Sequence, residues 1–145
     1  MKTTVYNAST PNIVDAEYDE DIKSIIVTWH TMIAINDLEP CIRAQSKVAK
    51  EKNAKSVIMN TSYAKNSIRK DDMDWIEAFY FPRLVHAGVE AIIIIPPISA
   101  ITSKALGEYK VKAQKAGLHI YETPDMINAL ETAKLIRDNK MQDPA

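Results

Sequence analysis

Three histidines and a single cysteine are the residues of this chain best suited to metal, nucleophilic or acid–base chemistry, and their spacing favours none of these. His30, His86 and His119 fall in separate stretches, none with a second His or Cys at ligand spacing, so no metal site is expected. Each reads first as a structural or surface histidine. Cys41 lies on an apolar helical stripe with Leu38, Ile42, Val48 and Ala49, where a small core residue is expected. A nucleophilic thiol needs a lowered pKa and a neighbouring base, and the sequence supplies neither. With Gly88, Gly107 and Gly117 as the only glycines, a Walker loop or dinucleotide fingerprint cannot form. No catalytic residue and no cofactor is expected.

The elements that would position a site can be read from periodicity. Residues 2–8 form a candidate edge strand, with Val5 and Tyr6 as its only strong β formers. Residues 13–18 and 22–30 flank the acidic turn 19–21 and read as an antiparallel hairpin, with Ile25, Val27 and Trp29 on one face. A helix follows with Asn36 as N-cap and Pro40 in its first turn. Lysines at 47, 50, 52 and 55 complement its C-terminal dipole.

Further along, a strand covers residues 56–60. Asp71 or Asp72 caps a second helix, Pro82 kinks it and Gly88 ends it. The aliphatic run 91–95 predicts a central strand covered on both faces. A third helix over 99–116 ends at Gly117, and a strand follows over 118–122. Thr123, with Pro124 at the first helical position, starts a fourth helix whose buried face is Met126, Ala129, Leu130, Ala133 and Ile136. Strands alternating with helices imply parallel pairing through right-handed crossovers.

In such sheets, ligands bind beyond the carboxyl ends of the parallel strands. That edge carries Asn60, Thr61, Ser62 and Tyr63 after one strand, and Pro97 and Ser99 after the next. These are the candidate ligand-binding residues; the bland alternative is that they form turns and caps. Trp75, Phe79, Tyr80 and Phe81 make the densest aromatic cluster, too wide for one inward stripe. They are candidate interface residues for a homodimer or another protein partner, with core packing as the competing reading.

A chain of 145 residues fits one domain, here with a polar tail over 138–145 expected to fray. A formal net charge of -1 argues against nucleic acid as a partner. No apolar run is long enough for a transmembrane segment. The N-terminus lacks signal-peptide character, and a single cysteine allows no internal disulfide. A cytoplasmic location is therefore expected.

Several segments resemble small bacterial STAS-like proteins (the sulfate-transporter and anti-sigma-factor-antagonist domain). They are Ile25-Ile26-Val27-Thr28-Trp29, Val57-Ile58-Met59-Asn60, and the stretch from Asp74-Trp75-Ile76 to Phe81-Pro82-Arg83. The strand 91–95 and the last strand–helix pair complete the likeness, which spans residues 10–137 and rests on hydrophobic pattern. The resemblance implies an α/β fold with a mixed four- or five-stranded sheet, an N-terminal antiparallel hairpin, parallel central strands, and about four helices mainly on one face. It also implies a non-catalytic binding or regulatory module acting on a protein or small ligand. Lys70-Asp71-Asp72-Met73-Asp74 stands where antagonists of this family carry a phosphorylatable serine, which puts that form of regulation in doubt. Two alternatives accompany this reading. One is a protein that binds a small apolar ligand or lipid, by analogy with CRAL-TRIO domains; the other is an enzyme with its site at the strand ends.

Overall fold

The computed structural model describes residues 2–9, 12–30, 35–64, 68–97 and 100–141. Alternating apolar and polar residues build β1 (Lys2–Ser9), β2 (Asn12–Asp19) and β3 (Ser24–Trp29) into an antiparallel meander. Val14, Ala16 and Tyr18 of β2 share a buried face with Ile25, Val27 and Trp29 of β3. Period two therefore turns Asp15, Glu17, Ile26 and Thr28 to the opposite face.

The sheet has six strands, not the four or five expected. The candidate edge strand over 2–8 is β1, at the edge of the sheet and paired along β2 from Lys2↔Asp19 to Ser9↔Asn12. Pairing with β2 overrides its weak local propensity. Register shifts between Thr4 and Tyr6 and between Asn7 and Ser9 bend it.

From β3 the sheet continues in parallel through β4 (Ser56–Asn60), β5 (Ala91–Ile95) and β6 (His119–Glu122), in strict chain order. Right-handed crossovers that all step in one direction place their helices on one face. That face carries α1 (Ile35–Lys52), then α2 (Lys70–Trp75) running through a π turn (Ile76–Tyr80) into α3 (Phe81–His86), then α4 (Ala100–Lys115). After β6 the chain returns as α5 (Met126–Arg137), which packs on the other face against β4 and β5. Among the described residues, three of four helical rods thus share a face.

β5 lies between the layers. Ile92 and Ile94 belong to the larger core under α1–α4, while Ala91, Ile93 and Ile95 pack with Ala129, Ala133 and Ile136 of α5. All five of its residues are buried. The expectation of a doubly covered central strand holds.

Pro82 follows a change of helical pitch. Its missing N–H would orphan a carbonyl of the preceding turn. The turn widens instead, and the Phe81 N–H donates to the Ile76 carbonyl, five residues back.

The helix starts differ from those expected. α1 begins at Ile35, which puts Asn36 inside the first turn and Pro40 beyond it. Arg69 precedes α2 without a side-chain cap, so Asp71 and Asp72 lie in the first turn, where the dipole favours carboxylates. Asp125 caps α5 by accepting the Asn128 N–H at 2.9 Å. Thr123 lies two residues before that cap, with its N–H donating to the Ile94 carbonyl at 2.9 Å, so Pro124 precedes the helix as well. Gly88 and Gly117 end their helices at φ 96° and 105°, as the sequence predicts. No helix among the described residues is long and apolar enough to cross a membrane.

Candidate functional site

Because α5 packs over β4 and β5, the same face of β1–β3 is left as a shallow groove of about 330 Å³. Thr4, Tyr6, Asp15, Ala16, Glu17, Ile26, Thr28 and His30 line it. The hairpin register sets Glu17 opposite Ile26 and Asp15 opposite Thr28. His30 follows Trp29 at the carboxyl end of β3, diagonal to Asp15.

The two side chains meet: His30 Nε2 lies 3.1 Å from Asp15 Oδ2. A carboxylate can only accept, so the ring N–H donates. Asp15 Oδ1 is buried with no hydrogen-bond partner among the described residues. Tyr63, beyond the carboxyl end of β4, stacks on His30 with ring centroids 6.0 Å apart and planes 18° from parallel. The ring is thus oriented on one side by a carboxylate and on the other by a phenol that is 61% exposed.

The predicted ligand residues divide. Asn60 Oδ1 accepts both the N–H and the hydroxyl of Ser62, at 3.1 and 2.7 Å. Thr61 is buried, and its N–H and hydroxyl both donate to the Ile95 carbonyl, tying the ends of β4 and β5 together. These three build the turn that presents Tyr63. Pro97 is half-buried, and Ser99 lies outside the described residues.

The aromatic cluster divides as well. Tyr80 and Phe81 are buried, with Phe81 edge-on to Tyr109 of α4 at 4.9 Å. Trp75 is half-buried, and its ring lies 5.4 Å from that of Phe79, which is exposed. Phe79 and Tyr80, one from each pair, are neighbours within the π turn. The stretch therefore serves the core through Tyr80 and Phe81, rests Trp75 against its margin and presents Phe79 outward.

Cys41 sits in a buried polar chain. Gln45 donates to Cys41 Sγ at 3.2 Å and accepts the Tyr80 hydroxyl at 2.7 Å. Burial pushes the thiol up to about 11, against a smaller lowering by Gln45. Burial likewise holds the Tyr80 phenol well above its ordinary range. Two pKa units leave about a hundredth of the ordinary thiolate fraction near neutral pH. Iodoacetamide should therefore alkylate Cys41 at least about a hundredfold more slowly in the native protein than in urea; equal rates would refute the buried placement. The neutral thiol favours the fold, so its contribution is full below pH 9 and is lost as pH rises through about 11. Among the described residues, no group of three His, Cys, Asp or Glu side chains is placed to hold a metal ion.

Tyr63 stood among the sequence candidates, but Asp15 and His30 did not. Their pairing was encoded in the hairpin register, which a strand pattern alone leaves open by a residue in either direction. Fixing it needs the turn length, here set by the Asp21 N–H on Asp19 Oδ1 at 3.0 Å and by Lys23 at φ 51°. No family model, curated protein or solved structure matches this chain.

Proposed function

We propose that this chain is a non-catalytic binding or regulatory module of STAS-like type, working through contacts on the open face of β1–β3. The carrying observation is the asymmetry of the layers. One face is closed by three helical rods, the other by α5 alone, and the uncovered strands display Asp15, Glu17, Thr28 and His30. A mixed sheet with helices mainly on one face supports this reading, although the sheet has six strands where the resemblance implies four or five. The buried thiol, raised to about 11, offers no nucleophile at neutral pH. An apolar ligand is less well served, because the grooves near His30, His119 and Lys52 all carry charged side chains.

Thr28→Lys places a long charged side chain in the middle of the open face, and Val111→Lys does the same on the exposed side of α4 as a control. Quantitative pull-downs and native mass spectrometry should show the retained partner or ligand falling at least about tenfold for Thr28→Lys and unchanged for Val111→Lys. If both variants, with melting temperatures near that of the parent, retain what the parent retains, the open face is not the contact surface.

A further inference from the structure

We infer that the free edge of β6 docks a second copy of this chain, antiparallel about a two-fold axis at Tyr121, and so joins two six-stranded sheets into one. The sheet has two outer strands, β1 and β6. An outer strand presents backbone N–H and C=O groups that pair readily with another strand. Two register shifts break β1, and such bulges bend an edge and blunt it. β6 has none, running in unbroken register with β5 from Ala91↔His119 to Ile94↔Glu122.

The phase of that ladder fixes what faces outward. The His119 N–H donates to the Glu90 carbonyl at 3.0 Å, and the Thr123 N–H to the Ile94 carbonyl at 2.9 Å. Along a strand, the residues that bond a given neighbour alternate. Ile120 and Glu122 therefore turn their N–H and C=O groups away from β5. Among the described residues no backbone group bonds them on that side.

This pattern is its own complement. Ile120 and Glu122 stand one residue either side of Tyr121. In an antiparallel pair centred on Tyr121, Ile120 of each copy exchanges both bonds with Glu122 of the other, and every outward group is used. Tyr121 then faces its twin as the non-hydrogen-bonded pair, with Cα atoms about 4.5 Å apart. Its ring is only partly buried under α5 and stacks on His119 at 6.5 Å, with planes 29° from parallel. Pairing covers that ring with its twin, and cross-strand aromatic pairs stabilise a sheet. On the other face, Lys110 of α4 holds Glu122 at 2.9 Å, so the acid at the seam is already compensated. An unrelated strand would satisfy the backbone equally; the symmetry of the outward groups about an aromatic residue selects a second copy. β6 lies at the far edge from β1–β3, so self-pairing leaves the open face free.

Sedimentation equilibrium of the full chain should show dimerisation with a Kd of about 1–100 µM, as suits a small interface. Tyr121→Cys tests the axis, because non-hydrogen-bonded pairs bring Cβ atoms near disulfide distance. Cys41 is buried, so the new thiol is the reactive one. Mild oxidation should link position 121 to its twin at least about tenfold faster than it links Ile127→Cys, whose parent side chain is 75% exposed on α5. Tyr121→Lys and Tyr121→Asp set like charges face to face and should each be monomeric, whereas their equimolar mixture should recover the dimer. Recovery on mixing excludes misfolding as the cause of either loss. If a charged variant melts early, the cross-linking rates decide. A parent that stays monomeric to about 1 mM overturns the inference. So does cross-linking no faster at 121 than at 127, a dimer that persists in both charged variants, or no recovery on mixing two variants that melt near the parent temperature.

Discussion

Truncating Ile93 to alanine is expected to remove about 2–5 kcal/mol of folding stability, and truncating Ile92 a similar amount. Both side chains are fully buried, yet they serve different cores: Ile92 lies under α1–α4 and Ile93 under α5. Each deletion leaves a cavity that its own layer must collapse to fill. Against the roughly 5–15 kcal/mol that holds a domain of this size together, either loss is large. Ile127→Ala on the exposed side of α5 should change stability by no more than about 0.5 kcal/mol, since that side chain is 75% exposed. Urea titrations of the three variants check this. A cost below about 1 kcal/mol for Ile93→Ala, with Ile92→Ala costly, would mean that α5 is not seated on β4 and β5.

The second large effect is expected in the polar chain between α1 and the π turn. Tyr80→Phe deletes the hydroxyl that donates to Gln45 Oε1 at 2.7 Å, leaving a fully buried amide oxygen without that bond. The expected cost is about 1–3 kcal/mol, more than an average hydrogen bond contributes, because the abandoned partner stays desolvated. Gln45→Leu should cost a comparable amount for the converse reason. The double variant should cost clearly less than the sum of the two, since neither orphan remains. A double-mutant cycle measures this coupling, and strict additivity would show that the two groups do not interact in the folded protein.

The same polar chain bears on how much could be read from residue order. Cys41 was correctly assigned to a core stripe from helical spacing, and nothing local linked it to Gln45 and Tyr80. Tyr80 faces inward because Pro82 withholds an N–H and the preceding turn widens. The proline was visible in the sequence, but the widening is only one of several ways a helix can accommodate it. At the strand ends, Thr61 shows the same limit. Its position beyond β4 was predicted, but its use as a tie to the Ile95 carbonyl depends on a strand that enters the sheet some thirty residues later. Asp15 and His30 were each visible, but their meeting depends on a hairpin register that shifts with turn length.

From residue order alone came the alternation of strands and helices, the hairpin, the glycine helix ends and the doubly buried β5. All of these follow from local periodicity and backbone preference. Tertiary structure alone decided the register of β1 on β2, that the aromatic cluster divides between buried Tyr80 and Phe81, half-buried Trp75 and exposed Phe79, and that part of the outer face stays open. Those outcomes arise because segments distant in the chain compete for the same surfaces. One returning helix covers β4 and β5, and the uncovered strands bring a carboxylate and an imidazole together beside a phenol that follows β4.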